Sequence, residues 1–252
     1  MKEDVVEYFK SLQDSICKGL EQADGSTKFS EDTWIREGGG GGITRVMQNG
    51  NVIEKGGVNF SEVFGEAPEF LSKEINSEKR FEAGVPSEKT FFASGVSIVI
   101  HPQSPMIPII HMNVRYLKLG IAEWFGGGID LTPIYVNEED VNYFHQTLKA
   151  TCDRFHPTFY PEFKKWADEY FFIKHRNETR GVGGIFFDYI GRDEKQLKIP
   201  MGQFFEFVMA VGNVFLPIYT HLIRKNKDKP YGEKEKQWQL LRRGRYAEFN
   251  LV

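Results

Sequence analysis

The chain has 252 residues, 40% hydrophobic and 27% charged, a size that supports one large core or two small ones. A net charge of −3 and a pI near 6.1 give no global attraction for nucleic acid or an anionic membrane. Cys17 and Cys152 are two cysteines without paired spacing, which argues against a disulfide framework or a cysteine-based zinc site and makes a reducing, cytoplasmic setting the expectation.

Residues 4–22 place Val5, Phe9, Leu12, Ile16 and Leu20 at helical spacing, so an amphipathic helix opens the chain. Five glycines follow at 38–42. They lack the Gly-Lys-Ser/Thr ending of a phosphate loop and read as a flexible lead-in lying over a site. Residues 43–48 and 51–55 flank Asn49-Gly50, the preferred two-residue hairpin turn. That register sets Val46 opposite Ile53 and Arg45 opposite Glu54. Residues 66–90 carry no strong period and read as a loop or weak helix.

Residues 91–101 and 107–119 are strand candidates rich in Val and Ile, joined by a Pro-Gln-Ser-Pro turn. Alternation puts Ser97, Val99 and His101 on one face of the first, and His111, Asn113 and Arg115 on one face of the second. Asn137 is a helix N-cap before Glu138, Glu139 and Asp140, and Pro161 opens a further helix. Residues 183–189 read as a strand, 201–223 as a buried helix, 232–243 as a charged helix and 246–252 as a last strand. The pattern predicts an α+β single domain with a large, mainly antiparallel sheet between helices. No apolar run is long enough to span a bilayer. The basic residues at 224–229 form a short run that reads as a solvated loop, not a nucleic-acid patch.

Residues 94–135 hold the chemistry. His101, His111, Arg115 and Asp130 stand there among apolar strand residues, where polar groups are costly without a purpose. An arginine on such a face needs an anionic partner, which is either an internal salt bridge with Asp130 or an anionic ligand. Gly126, Gly127 and Gly128 let backbone approach a ring closely. The aromatic share of 14%, with 22 phenylalanines, fits a thick aromatic core or a ring-shaped ligand. His145 sits at the edge of its helix's apolar stripe, as a core-edge histidine does.

Several long strings in order carry a family resemblance. They include Gly-Gly-Val-Asn-Phe at 56–60, Val-Ile-His-Pro at 99–102, His-Met-Asn-Val-Arg-Tyr at 111–116 and Trp-Phe-Gly-Gly-Gly-Ile-Asp-Leu-Thr-Pro at 124–133. Phe-Lys-Lys-Trp-Ala-Asp-Glu-Tyr-Phe at 163–171, Lys-His-Arg-Asn-Glu at 174–178, Arg-Gly-Val-Gly-Gly-Ile-Phe-Phe-Asp at 180–188 and the run at 242–252 continue it. Over nearly its whole length the chain resembles oxygen-dependent coproporphyrinogen III oxidase.

The resemblance implies oxidative decarboxylation of two propionates of coproporphyrinogen III to vinyl groups, with O2 as oxidant and no redox cofactor, by a homodimer. It implies catalytic roles for His111, Arg115 and Asp130 and substrate contacts from Ser97, Asn113, Val114 and Arg115. On this reading Asp130 accepts pyrrole N–H bonds. The rival reading is a divalent metal on His101, His111, His145 and His175, or on two histidines with Asp130. Relatives run several tens of residues past the final Phe-Asn-Leu-Val, with part of the dimer interface there, so a missing tail is a further expectation.

Overall fold

The computed structural model describes residues 1–67, 90–191 and 199–249. The expected loop or weak helix at 66–90 lies almost entirely outside these residues. Seven strands form one antiparallel sheet: β1 (Ser30–Ile35), β2 (Gly40–Gln48), β3 (Ile53–Glu66), β4 (Thr90–Pro102), β5 (Ile109–Leu119), β6 (Ala122–Thr132) and β9 (Gly184–Ile190), in that order. A two-stranded ribbon of β7 (Phe172–Ile173) and β8 (Glu178–Thr179) lies apart from it. Five α-helices complete the chain's described part: α1 (Lys2–Asp24), α2 (Glu138–Asp153), α3 (Phe159–Tyr170), α4 (Met201–Asn226) and α5 (Glu233–Phe249). The α+β, single-domain expectation is met.

Strict alternation divides the sheet into two faces. Val58, Phe60, Val96, Ile98, Ile100, Met112, Val114 and Ile129 point one way and are essentially sealed from solvent. Val5, Phe9, Leu12, Ile16 and Leu20 of α1 and Phe207, Val211, Phe215 and Ile218 of α4 cover them in a single core. The opposite face is covered by α5 at one end, where Tyr246 packs with Val99, Ile109 and Ile134. Beyond that end, Asn59 and Ser97 stand exposed. This uncovered stretch is where a site can form.

Four expectations change. First, the Asn49-Gly50 hairpin has a shifted register: Gly50 N–H donates to Ile53 O and Gln48 pairs with Lys55, so Arg45 lies opposite Val58 and Val46 opposite Gly57. The wider turn is held by the buried Asp24 carboxylate at the end of α1, which accepts N–H bonds from Asn51, Val52 and Ile53. Arg45 instead joins Glu31 and Asp14. Second, the glycine run is no lead-in over a site. Gly38 and Gly39, at φ 102° and 121°, turn the chain from β1 into β2 at the sheet's far edge.

Third, residues 246–249 continue α5 instead of forming a strand; 250–252 lie outside the described residues. A strand would send Tyr246 and Phe249 to opposite faces, whereas a helix lets both close on one arginine. Fourth, α4 is long and apolar enough to cross a membrane by length and composition, despite the expectation that no run was. Its apolar residues here belong to the common core with the sheet and α1.

Candidate active site

The pairing of β4, β5 and β6 builds the site. His111 stands opposite Asp130, Asn113 opposite Gly128 and Arg115 opposite Gly126, while Ser97 and Val99 of β4 flank Asn113 and His111. On the other side of β6, Gly128 meets Phe186 of β9. The two glycines on this face leave a floor without side chains between the β5 polar row and β9. A Cβ at Gly126 would fall 2.3 Å from Asp188 Oδ1 and 2.8 Å from Arg115 Nε. Gly127 points the other way, toward Phe187 in the core.

A pocket of about 220 Å³ opens on this floor, lined by His111, Asn113, Arg115, Gly127, Gly128, Tyr170, Phe171 and Phe186. Tyr170 and Phe186 stack with ring centres 4.4 Å apart and form its aromatic wall. A larger groove of about 1030 Å³ lies elsewhere, between the start of α1 and the ends of β3, β4 and β5. Its charged residues balance, Lys2, Lys10 and Lys118 against Glu3, Glu7 and Glu62, and it holds no histidine or arginine. The smaller pocket is therefore the candidate site.

Two ion pairs organise that pocket. Arg115 Nη2 donates to Asp188 Oδ2 at 2.5 Å, with Arg115 partly exposed and Asp188 mostly buried. Asp130, 1% exposed, accepts from both directions: Arg180 Nη2 reaches its two oxygens at 2.9 and 2.8 Å, and His111 Nδ1 lies 2.8 Å from Oδ1. The internal salt bridge that was one of two readings for Arg115 is made with Asp188 and not with Asp130, which pairs with Arg180. Asp130 is not on the pocket wall but directly behind His111. The side-chain oxygen of Asn113 is buried without a hydrogen-bond partner.

Of the expected site residues, His111, Asn113 and Arg115 line the pocket together. Ser97 is the next residue outward across the sheet, and the Val114 side chain is wholly in the core, so that residue offers a ligand only its backbone. The other histidines stand apart. His101 packs edge-on against Tyr246, and burial, with the Arg243 charge second, lowers its pKa to about 4. His145 bonds Val182 O through Nε2 and the Tyr160 hydroxyl through Nδ1, as a core-edge histidine does. His175 Nε2 pairs with Glu248.

These donors therefore do not fit one divalent cation: His145 has both ring nitrogens engaged, and His101 and His175 each face a different helix residue. Among the described residues no group of three or more His, Cys, Asp or Glu side chains converges on a common point. Sequence reasoning did not single out Arg180, Asp188, Tyr170 or Phe186. Alternation along 184–190 does put Phe186 and Asp188 on one face, but nothing local says which strand they will meet.

A family model described as coproporphyrinogen III oxidase matches residues 4–252. An oxygen-dependent coproporphyrinogen-III oxidase of Drosophila melanogaster is 49% identical over 248 residues, covering 96% of this chain and 62% of the relative. A chloroplastic enzyme of that name from Glycine max is 46% identical, and coproporphyrinogen-III oxidase 1, chloroplastic, of Arabidopsis thaliana 45%; each match covers 96% of this chain and 63% of the relative. The chain thus spans less than two thirds of the length of these curated relatives. With the family pattern running through the sheet, the pocket and every described helix, the chain belongs to the coproporphyrinogen III oxidase family.

Proposed function

We propose that this chain carries out the oxidative decarboxylation of two propionate groups of coproporphyrinogen III to vinyl groups, with O2 as oxidant. The observation that carries the reading is one pocket in which a partly exposed arginine, an Asp-backed histidine and the Asn113 side chain stand beside an aromatic wall. About 220 Å³ lies below the roughly 300 Å³ at which ligand pockets usually begin. It suits one pyrrole with its propionate, the rest of the macrocycle lying over the uncovered sheet. The two propionates then react in turn.

Arg115 grips the reacting carboxylate through guanidinium donors not used by Asp188, a charge-assisted contact of roughly 1.5–3 kcal/mol. The Asn113 amide, once its buried oxygen turns toward the pocket, accepts a pyrrole N–H. Loss of a pyrrole proton to His111 Nε2 raises ring electron density, so that O2 takes two electrons directly from the substrate. For each vinyl group, a propionate, one O2 and one proton become the alkene, CO2 and H2O2. The β-hydrogen and an electron pair pass to oxygen, and the carboxylate's C–C bond breaks to form the double bond. Asp130 acts through His111, not by touching the pyrrole.

A homodimer working in the cytoplasm belongs to the same proposal. Its support is the family resemblance, the two buried, unpaired cysteines, and the part-exposed Trp238, Leu240 and Leu241 on α5. The test of the activity is aerobic incubation of the protein with coproporphyrinogen III, followed by mass spectrometry of the oxidised porphyrins. Loss of two carboxyl groups with two molecules of CO2 and H2O2 per substrate supports the reading. Tight binding without vinyl product overturns it in favour of a tetrapyrrole carrier.

A further inference from the structure

We infer that Arg180 is a positioning residue: caged by aromatic rings, it orients the Asp130 carboxylate that holds His111 in a single tautomer. The inference rests on the reading that His111 moves protons at the pocket. Arg180 is 4% exposed and its guanidinium carbon lies 4.2 Å from the ring centre of Phe171 and 4.6 Å from those of Tyr246 and Phe249. Three cation–π faces from two distant elements hold the cation in place. Its Nη2 then reaches both oxygens of Asp130, which fixes the carboxylate plane.

An ionised carboxylate only accepts, so His111 Nδ1, 2.8 Å from Oδ1, must carry the proton. Nε2 is then the nitrogen left to serve the pocket. Without Arg180 the Asp130 carboxylate loses the contact that fixes its plane and turns, so the Nδ1–H is no longer held and His111 switches to the Nε2–H form. That form cannot accept a proton from substrate. Arg180 touches no pocket space itself, so its effect falls on turnover and not on binding.

The experiment compares the protein with Arg180→Met and Arg180→Lys. It reads the His111 tautomer from ring 15N shifts, assigned with His111→Gln, together with kcat, KM and Tm. In the unaltered protein the proton sits on Nδ1. Arg180→Met moves it to Nε2 and lowers kcat about 10- to 100-fold with KM nearly unchanged. Arg180→Lys, which keeps the charge and the cage but reaches less far toward Asp130, restores the tautomer and part of kcat; it carries the test if the methionine form does not fold. Lower Tm and kcat with His111 still protonated at Nδ1 in both variants would make Arg180 merely structural and overturn the inference. A tautomer switch with kcat unchanged upholds it and removes His111 from the proposed reaction instead.

Discussion

Replacing Gly126 with alanine isolates the placement of Arg115 without removing any charged group. The new methyl would sit 2.3 Å from Asp188 Oδ1 and 2.8 Å from Arg115 Nε, distances no Cβ sustains. Both atoms end side chains that can swing, so the strand stays and the pair separates by about 1 Å. The lost contact is charge-assisted but partly open to water, which limits its stability cost to about 1 kcal/mol. Alanine's lower unfolded-state entropy returns about half of that. The net change in stability is therefore small, and Tm falls by no more than a few degrees. Activity is far more sensitive, since misplacing a substrate-positioning group by about 1 Å costs up to ~100-fold. Steady-state kinetics and a thermal melt on the same preparation measure both. Gly127→Ala is the contrast: its Cβ meets Asn113 O at 2.6 Å and the Phe187 ring at 2.9 Å, so it loses about 1–3 kcal/mol of stability through overpacking. If Gly126→Ala keeps kcat/KM within twofold, the guanidinium over that glycine does not hold substrate.

Two further outcomes follow from the same contacts. Asp188→Asn keeps the shape beside Arg115 but removes a carboxylate that competes with an anionic substrate, so KM falls several-fold; a raised KM would make Asp188 the group that aims the guanidinium. His101, held by burial to about 4, stays neutral in the folded chain while the unfolded chain protonates near 6.5. The unfolded state thus binds the proton first on acidification, and stability is flat above about pH 6.5 and declines from there toward pH 4. The span between those values at about 1.4 kcal/mol per pH unit sets a ceiling of roughly 3 kcal/mol. His101→Phe should flatten that window in pH-dependent urea melts, and an unchanged slope would contradict it.

How much of this was legible in the sequence depended on where each determinant lies. The faces of β4 and β5 follow from alternation alone, because one side must be apolar to meet α1 and α4, and this already aligns Ser97, His111, Asn113 and Arg115. β1 was invisible since Ser-Glu-Asp-Thr-Trp-Ile is an almost wholly exposed edge strand, without a buried face to leave a period. The turn after β2 was misread because its register is set by Asp24, a residue of another element. Residues 246–249 alternate like a strand, yet their conformation answers to Arg180, more than sixty positions away. The partners of Asp130 and Arg115 were hidden for the same reason: β9 joins the sheet only after two helices, and no local spacing reveals which carboxylate will face which guanidinium.

Kinetics of Arg115→Lys beside Arg115→Ala test the central claim most directly, that this sheet face grips a propionate through a planar guanidinium. Lysine keeps the charge but not the fork, so it cannot both pair with Asp188 and hold a carboxylate at two points. The account predicts that alanine loses most of kcat/KM for coproporphyrinogen III and that lysine recovers little of it. A lysine variant with near-normal kcat/KM would contradict it.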